Sequence, residues 1–154
     1  MPPVLTTSIE LPVLVLDTNV VLDWLLFRNS GCDALNAALV AGEVRWIASA
    51  AMREELAHVL ARGTLDKWRP DLTALWARWD QHCTEVPAAP ALGPAAKMRC
   101  SDPDDQKFID LAVTCKARWL LSHDRAVQRL GRRLRRQGVN VTTPAAWLLP
   151  QAVV

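Results

Sequence analysis

Val13-Leu14-Val15-Leu16-Asp17-Thr18-Asn19-Val20 is the stretch whose reading decides the fold. Four consecutive aliphatic residues predict a strand buried on both faces, and the carboxylate of Asp17 stands where that strand ends. In an open parallel sheet ligands sit outside the carboxyl ends of the strands, so an acid there points into a crevice and anchors a site. Val20, Val21, Trp24 and Leu25 follow at helical spacing, so a helix starts directly after the strand.

The rest of the chain repeats this alternation. A second helix is predicted over roughly Cys32 to Val40, stopped by Gly42. Val44–Ala48 is a short strand, and Ser49 is a suitable cap for a helix with Met52, Leu56, Val59 and Leu60 on one face. Asp66 to Cys83 reads as one amphipathic helix with Pro70 in its first turn, followed by a strand over Thr84–Val86. Prolines and a glycine between Pro87 and Pro94 make a loop. Ser101-Asp102-Pro103-Asp104-Asp105 is a strong helix start, leading through Phe108, Ile109, Leu111, Ala112 and Cys115 to the strand Trp119–Leu121. A short helix, Gly138, a strand over Val139–Val141 and a terminal helix opened by Thr143 and Pro144 complete the pattern. Five strands alternating with helices imply βαβ units, a mainly parallel sheet and helices on both faces, after an irregular lead-in over residues 1–12.

The 154 residues, 51% hydrophobic and 22% charged, suit one globular domain that holds a core without staples. Cys32, Cys83, Cys100 and Cys115 form no C-x-x-C pair, which speaks against a zinc or redox motif and for reduced thiols in the cytoplasm. No basic residue precedes the N-terminal apolar run and no run reaches the ~20 residues a membrane span needs, so neither a signal peptide nor a membrane protein is expected. A net charge of +2 is too small to imply a nucleic-acid partner by itself.

The acids at strand ends and helix starts carry the chemistry: Asp17, the pair Glu54 and Glu55, the cluster Asp102, Asp104 and Asp105, and Asp124. Glu55 borders the apolar stripe of its helix, whereas Glu54 aligns with His58 and faces solvent. Periodicity separates Asp104 and Asp105 poorly. Carboxylates gathered at one sheet edge repel one another, so a cation is expected among them. Oxygen-only ligands suit a hard divalent ion, Mg²⁺ or Mn²⁺, which can activate water and neutralise a phosphate under attack. The plainer reading of the Asp102 cluster is helix capping, and of Glu54 and Glu55 solvated helix acids.

Leu16-Asp17-Thr18-Asn19-Val20, Glu55-Leu56, Asp102-Pro103-Asp104-Asp105 ahead of Phe108-Ile109-Asp110-Leu111-Ala112, and Leu121-Ser122-His123-Asp124 together resemble PIN-domain ribonucleases, most closely the VapC-like toxins of toxin–antitoxin pairs. The resemblance implies a three-layer α/β/α fold over 13–150 and a Mg²⁺- or Mn²⁺-dependent endoribonuclease. It places catalytic and metal-binding acids on Asp17, Glu55, Asp105 and Asp124, with Thr18, Asn19, Ser122 and the neighbouring Asp104 supporting them. Asp105 is preferred to Asp104 because its spacing to Ala112 matches the family's acid-to-alanine spacing. His123 falls on a variable position and is expected to be an exposed loop residue. The resemblance also implies a homodimer and an inhibitory antitoxin protein.

Arg125, Arg129, Arg132, Arg133, Arg135 and Arg136 follow Asp124 directly and offer RNA phosphate contacts beside the acids; the alternative is a solvated helix face. Of seven tryptophans, Trp24, Trp76, Trp119 and Trp147 sit at core-like spacings, while Trp68 and Trp79 are candidates for a protein interface. Two readings of different class follow. One is metal-assisted phosphodiester hydrolysis with no side-chain nucleophile; the other is a PIN-like scaffold that binds RNA or protein without turnover. A phosphatase of the haloacid dehalogenase type is disfavoured because Asn19 stands where its second aspartate belongs.

Overall fold

The computed structural model describes residues 10–90 and 98–148; the first nine residues of the expected lead-in, and 91–94 of the expected loop, lie outside them. Five strands form one sheet in the order β3-β2-β1-β4-β5: β1 Val13–Leu16, β2 Arg45–Ala48, β3 Cys83–Glu85, β4 Trp119–Leu121 and β5 Asn140–Thr142. Every neighbouring pair is parallel, with Leu14 opposite both Trp46 and Trp119. β1 is central, and its Leu14 and Val15 are completely buried because helices cover both faces.

The connections are the helices α1 Thr18–Leu25, α2 Asp33–Val40, α3 Ala50–Ala61, α4 Leu72–His82, α5 Gln106–Thr114, α6 Arg125–Gln128 and α7 Gly131–Arg136. From β1 the chain lays β2 and β3 on one side, then crosses back to place β4 and β5 on the other. The order reverses beside β1, and that switch point leaves a crevice at the carboxyl ends of β1 and β4. Gly42, Gly63 and Gly138 adopt positive φ where α2, α3 and α7 end, a conformation that costs glycine nothing.

Several expectations are corrected. The stretch from Asp66 is not one helix. A 3₁₀ turn over Asp66–Trp68 ends at Arg69 in the left-handed region (φ 48°), and α4 starts afresh after Asp71, whose side chain accepts from Ala74 N at 3.0 Å. Pro70 disfavours helical geometry at the residue before it, so it lies ahead of the cap and not in the first turn. Trp79 is no interface residue: it lies one turn after Leu75 on the buried face of α4 and meets Trp46 edge to face at 4.7 Å. Trp68 stays 52% exposed. Ser49 stands at the N-cap of α3 without a side-chain capping bond. The terminal helix expected from Thr143 is, among the described residues, only a turn over 144–146, because Trp147 then drives into the core against Trp119.

Candidate metal centre

Asp17 ends β1 and caps α1: its Oδ1 accepts from Val20 N at 2.9 Å, while Oδ2 accepts from the Ser122 hydroxyl at the end of β4. Its backbone N–H donates to Leu121 O at 3.1 Å, so the β1–β4 ladder itself places the acid at the switch point. Burial pushes its carboxyl above the ordinary range, against the opposing pull of the Ser122 hydroxyl. Ser122 Oγ also accepts from Asp124 N at 3.0 Å, so one buried hydroxyl aligns two acids from different strands.

Asp124 caps α6, its Oδ1 accepting from Ala126 N at 2.7 Å. Asp102 caps the 3₁₀ turn over Pro103–Asp105 through a 3.0 Å bond from Asp104 N. Gln106 anchors that turn: its amide oxygen accepts from Cys100 N, and its amide nitrogen donates to Met98 O and to buried Asp110. The result is that carboxylate oxygens of Asp102, Asp105 and Asp124 all lie within 4.8 Å of one another. Asp104 is exposed, and its carboxylate is outside that group.

Glu55 projects from α3 toward the same crevice. It accepts from the Thr18 hydroxyl and from Lys107 Nζ at 2.7 Å, and Lys107 also donates to Asp104 O at 2.5 Å. Asp17, Thr18, Asn19, Glu55, Arg62, Asp102, Asp104, Asp105 and Asp124 line one cavity of about 190 Å³. The structure therefore gathers all four acids expected from the sequence around a single space with Asp102, and adds Arg62 to its wall and Lys107 as a partner of Glu55. Asp102 is one of the clustered acids of the sequence, with capping as its plainer reading; in the structure it caps the turn and also belongs to the three-acid group. Lys107 carried no signal, because it meets Glu55 across a sequence separation of 52.

The electrostatics show strain that a cation relieves. Burial, the hydrogen bond with Asp124, and the charges of Asp124, Asp102 and Asp17 push Asp105 up to about 8. Asp124 is held low, chiefly by that hydrogen bond with Asp105. Asp105 Oδ2 is buried with no hydrogen-bond donor on it among the described residues. An orphaned buried acceptor inside an all-oxygen cluster fits a hard divalent ion, so these residues suit the metal that the sequence implied.

His123 is exposed, as expected, but not idle: Nε2 lies 2.7 Å from Asp23 Oδ2 on α1. Arg125, Arg129, Arg132, Arg133, Arg135 and Arg136 are exposed on α6, α7 and the turn between them, while Val127, Leu130 and Leu134 face the core. Arg129 is close enough to Asp124 to help lower its carboxyl. No described helix is long and apolar enough to cross a membrane.

No curated protein matches the sequence. The family described as PIN domain, whose members are usually metal-dependent nucleases, matches residues 13–126, which run from β1 through the acid of β4 into α6. With that match, the parallel order β3-β2-β1-β4-β5 and the acids at its switch point, the chain belongs to the PIN-domain family.

Proposed function

We propose that the protein is a Mg²⁺- or Mn²⁺-dependent endoribonuclease, acting in the cytoplasm as the toxin of a toxin–antitoxin pair. The observation that carries the nuclease reading is the convergence of acids from four separate segments on one cavity, with a buried carboxylate oxygen left unpaired inside it. Asp102, Asp105 and Asp124 would hold the ion, with Asp17 and Glu55 at the border of the same space. When bound, the ion supplies Lewis-acid chemistry, making a water more acidic and neutralising charge on the phosphate.

The chain's own groups do the rest. Ser122 and the Val20 N–H fix Asp17, and Thr18 orients Glu55. Arg62 lines the cavity and Lys107 reaches Glu55 at its edge, so both offer positive charge to a phosphodiester. Arg125, Arg129, Arg132 and Arg133 extend that positive surface from Asp124 outward, which suits a chain of RNA phosphates. Partners on this reading are the RNA substrate, an antitoxin protein that silences the site, and a second copy of the chain.

The test is cleavage of a broad RNA panel with Mg²⁺ or Mn²⁺, comparing the wild type with Asp17→Asn. Cleavage that falls on the order of a hundredfold or more in the variant supports the proposal, consistent with the loss of one electrostatic partner at a reacting centre. Equal activity in both proteins, or no cleavage with either ion, overturns it. Rescue of growth by a neighbouring small gene product, when the wild type is expressed, tests the toxin reading separately.

A further inference from the structure

A second cavity, of about 490 Å³, lies among α1, α2, the 3₁₀ turn over Asp66–Trp68 and α4, and shares no lining residue with the acidic one. Arg28, Arg69 and Arg78 line it together with Trp24 and Trp68. The volume is in the usual range for a small-molecule site, roughly 300–1,000 Å³.

Arg78 is the centre of this wall. Its Nη2 donates to Asn36 Oδ1 at 2.6 Å, the same oxygen accepts from Trp24 Nε1 at 3.0 Å, and the guanidinium lies 5.5 Å from the Trp24 ring centroid. The group is thereby held in one place. Its Nε is nevertheless buried without an acceptor among the described residues, a donor left unspent beside a cavity.

Arg28 and Arg69 add a second observation. Both hold left-handed backbone, φ 51° and 48°, at the ends of a helix and a 3₁₀ turn, where the chain elsewhere uses Gly42, Gly63 and Gly138. Lys116 does the same without lining either cavity, so a cation at a helix end can persist for the dipole alone. What distinguishes Arg28 and Arg69 is that both line the same cavity as Arg78.

The lining also excludes a bare anion as the best occupant. Asp33 and Asp71 stand among the arginines and would repel inorganic phosphate, but they accept hydrogen bonds from a ligand that carries hydroxyls. Trp68, half exposed with Phe27 edge-on at 4.8 Å, offers apolar ring surface that phosphate alone cannot use. We propose that this cavity binds a nucleoside monophosphate, its phosphate on Arg28, Arg69 and Arg78, its ribose hydroxyls toward Asp33 and Asp71, and its base against Trp68. The same chemistry arrives as a free mononucleotide or as the phosphorylated end of an RNA. The site does not depend on the nuclease reading.

The experiment titrates the full-length protein, in EDTA, with AMP, GMP, CMP and UMP, reading tryptophan fluorescence and calorimetric heat, with inorganic phosphate and adenosine as comparison probes. The expected result is mononucleotide binding at least tenfold tighter than either comparison probe. It should weaken at least tenfold in Arg78→Met and in Arg69→Gly, and stay unchanged in Asp124→Asn. Arg69→Gly keeps the test decisive if Arg78→Met fails to fold, because glycine relieves the left-handed backbone and should leave thermal stability equal or higher. Competition by a 5′-phosphorylated oligoribonucleotide, and not by its dephosphorylated form, assigns the ligand to RNA ends; no competition by either assigns it to free nucleotide. Phosphate binding as tightly as the nucleotides, full binding by Arg69→Gly, or no binding at millimolar nucleotide overturns the proposal.

Discussion

Replacing Asp105 by asparagine should make the metal-free protein more stable and the metal-loaded protein less responsive. In the wild type the folded state pushes this carboxyl from 3.8 up to about 8, mainly through burial and the neighbouring Asp124. A group whose folded value is raised contributes its full stability below its unfolded value and loses it as pH rises through the folded one. The deficit in the wild type therefore opens between about pH 4 and pH 8 and is complete near pH 9. Undamped, about four units correspond to roughly 6 kcal/mol, but water reaches this carboxyl and screening reduces the cost to about 1–2 kcal/mol. An introduced carboxamide keeps the volume and still donates to Asp124, so the lowered Asp124 value, whose contribution fades only as pH falls, is preserved. For a chain of this size the variant should melt about 3–6 °C above the wild type in EDTA near pH 9, with the difference vanishing by about pH 4. Added Mg²⁺ at ten times its Kd should return about 1.4 kcal/mol to the wild type and little to the variant, closing most of the gap. Thermal unfolding followed by circular dichroism, with and without Mg²⁺, measures all of this. A variant no more stable than the wild type in EDTA at high pH, or one gaining as much from Mg²⁺, would refute the account of a strained, cation-seeking cluster.

Mg²⁺ affinity should rise about tenfold per pH unit below the Asp105 value of about 8 and level off above it, because binding must first displace that proton; calorimetry across pH reads the slope. Trp147→Ala should cost about 3–5 kcal/mol, since the ring is 1% exposed and packs at 5.3 Å against Trp119, and chemical denaturation will show whether it does. Ser122→Ala removes the hydroxyl that joins Asp17 to Asp124 and leaves a buried carboxylate oxygen short of a donor; about 1–3 kcal/mol of stability should be lost, together with Mg²⁺ affinity. Changing Arg132 and Arg133 to glutamine together should weaken RNA binding uniformly across sequences and flatten the salt dependence by about 0.7 per lost phosphate contact, as filter binding at several salt concentrations would reveal.

How far the sequence reached depends on how local each determinant was. The aliphatic run Val13–Leu16 with a terminal acid, the turn residues Gly42 and Gly138, and the capped start at Asp102 are local signals, and they yielded the alternating order, the five strands and a parallel sheet. Asp17 stands out because an acid directly ends an aliphatic strand, but Glu55, Asp105 over Asp104, and Asp124 are singled out only by the resemblance to the PIN family, since capping and helical period leave their roles open. The geometry of the cluster was a tertiary matter. Asp102 reads from the sequence as a cap or as one of the clustered acids, and only the fold shows that its carboxylate lies near those of Asp105 and Asp124. Lys107 reaches Glu55 across 52 positions, and Trp79 is buried because β2 supplies Trp46 opposite it. By itself the sequence determined the order of strands along the chain and most of the helices, since hydrophobic period and capping act within a few residues, but not the break before Leu72 or the loss of the helix expected from Thr143. Tertiary structure alone decided which carboxyl is pushed up and which held low, and which arginines share a cavity, because desolvation and charge depend on neighbours brought together from distant parts of the chain.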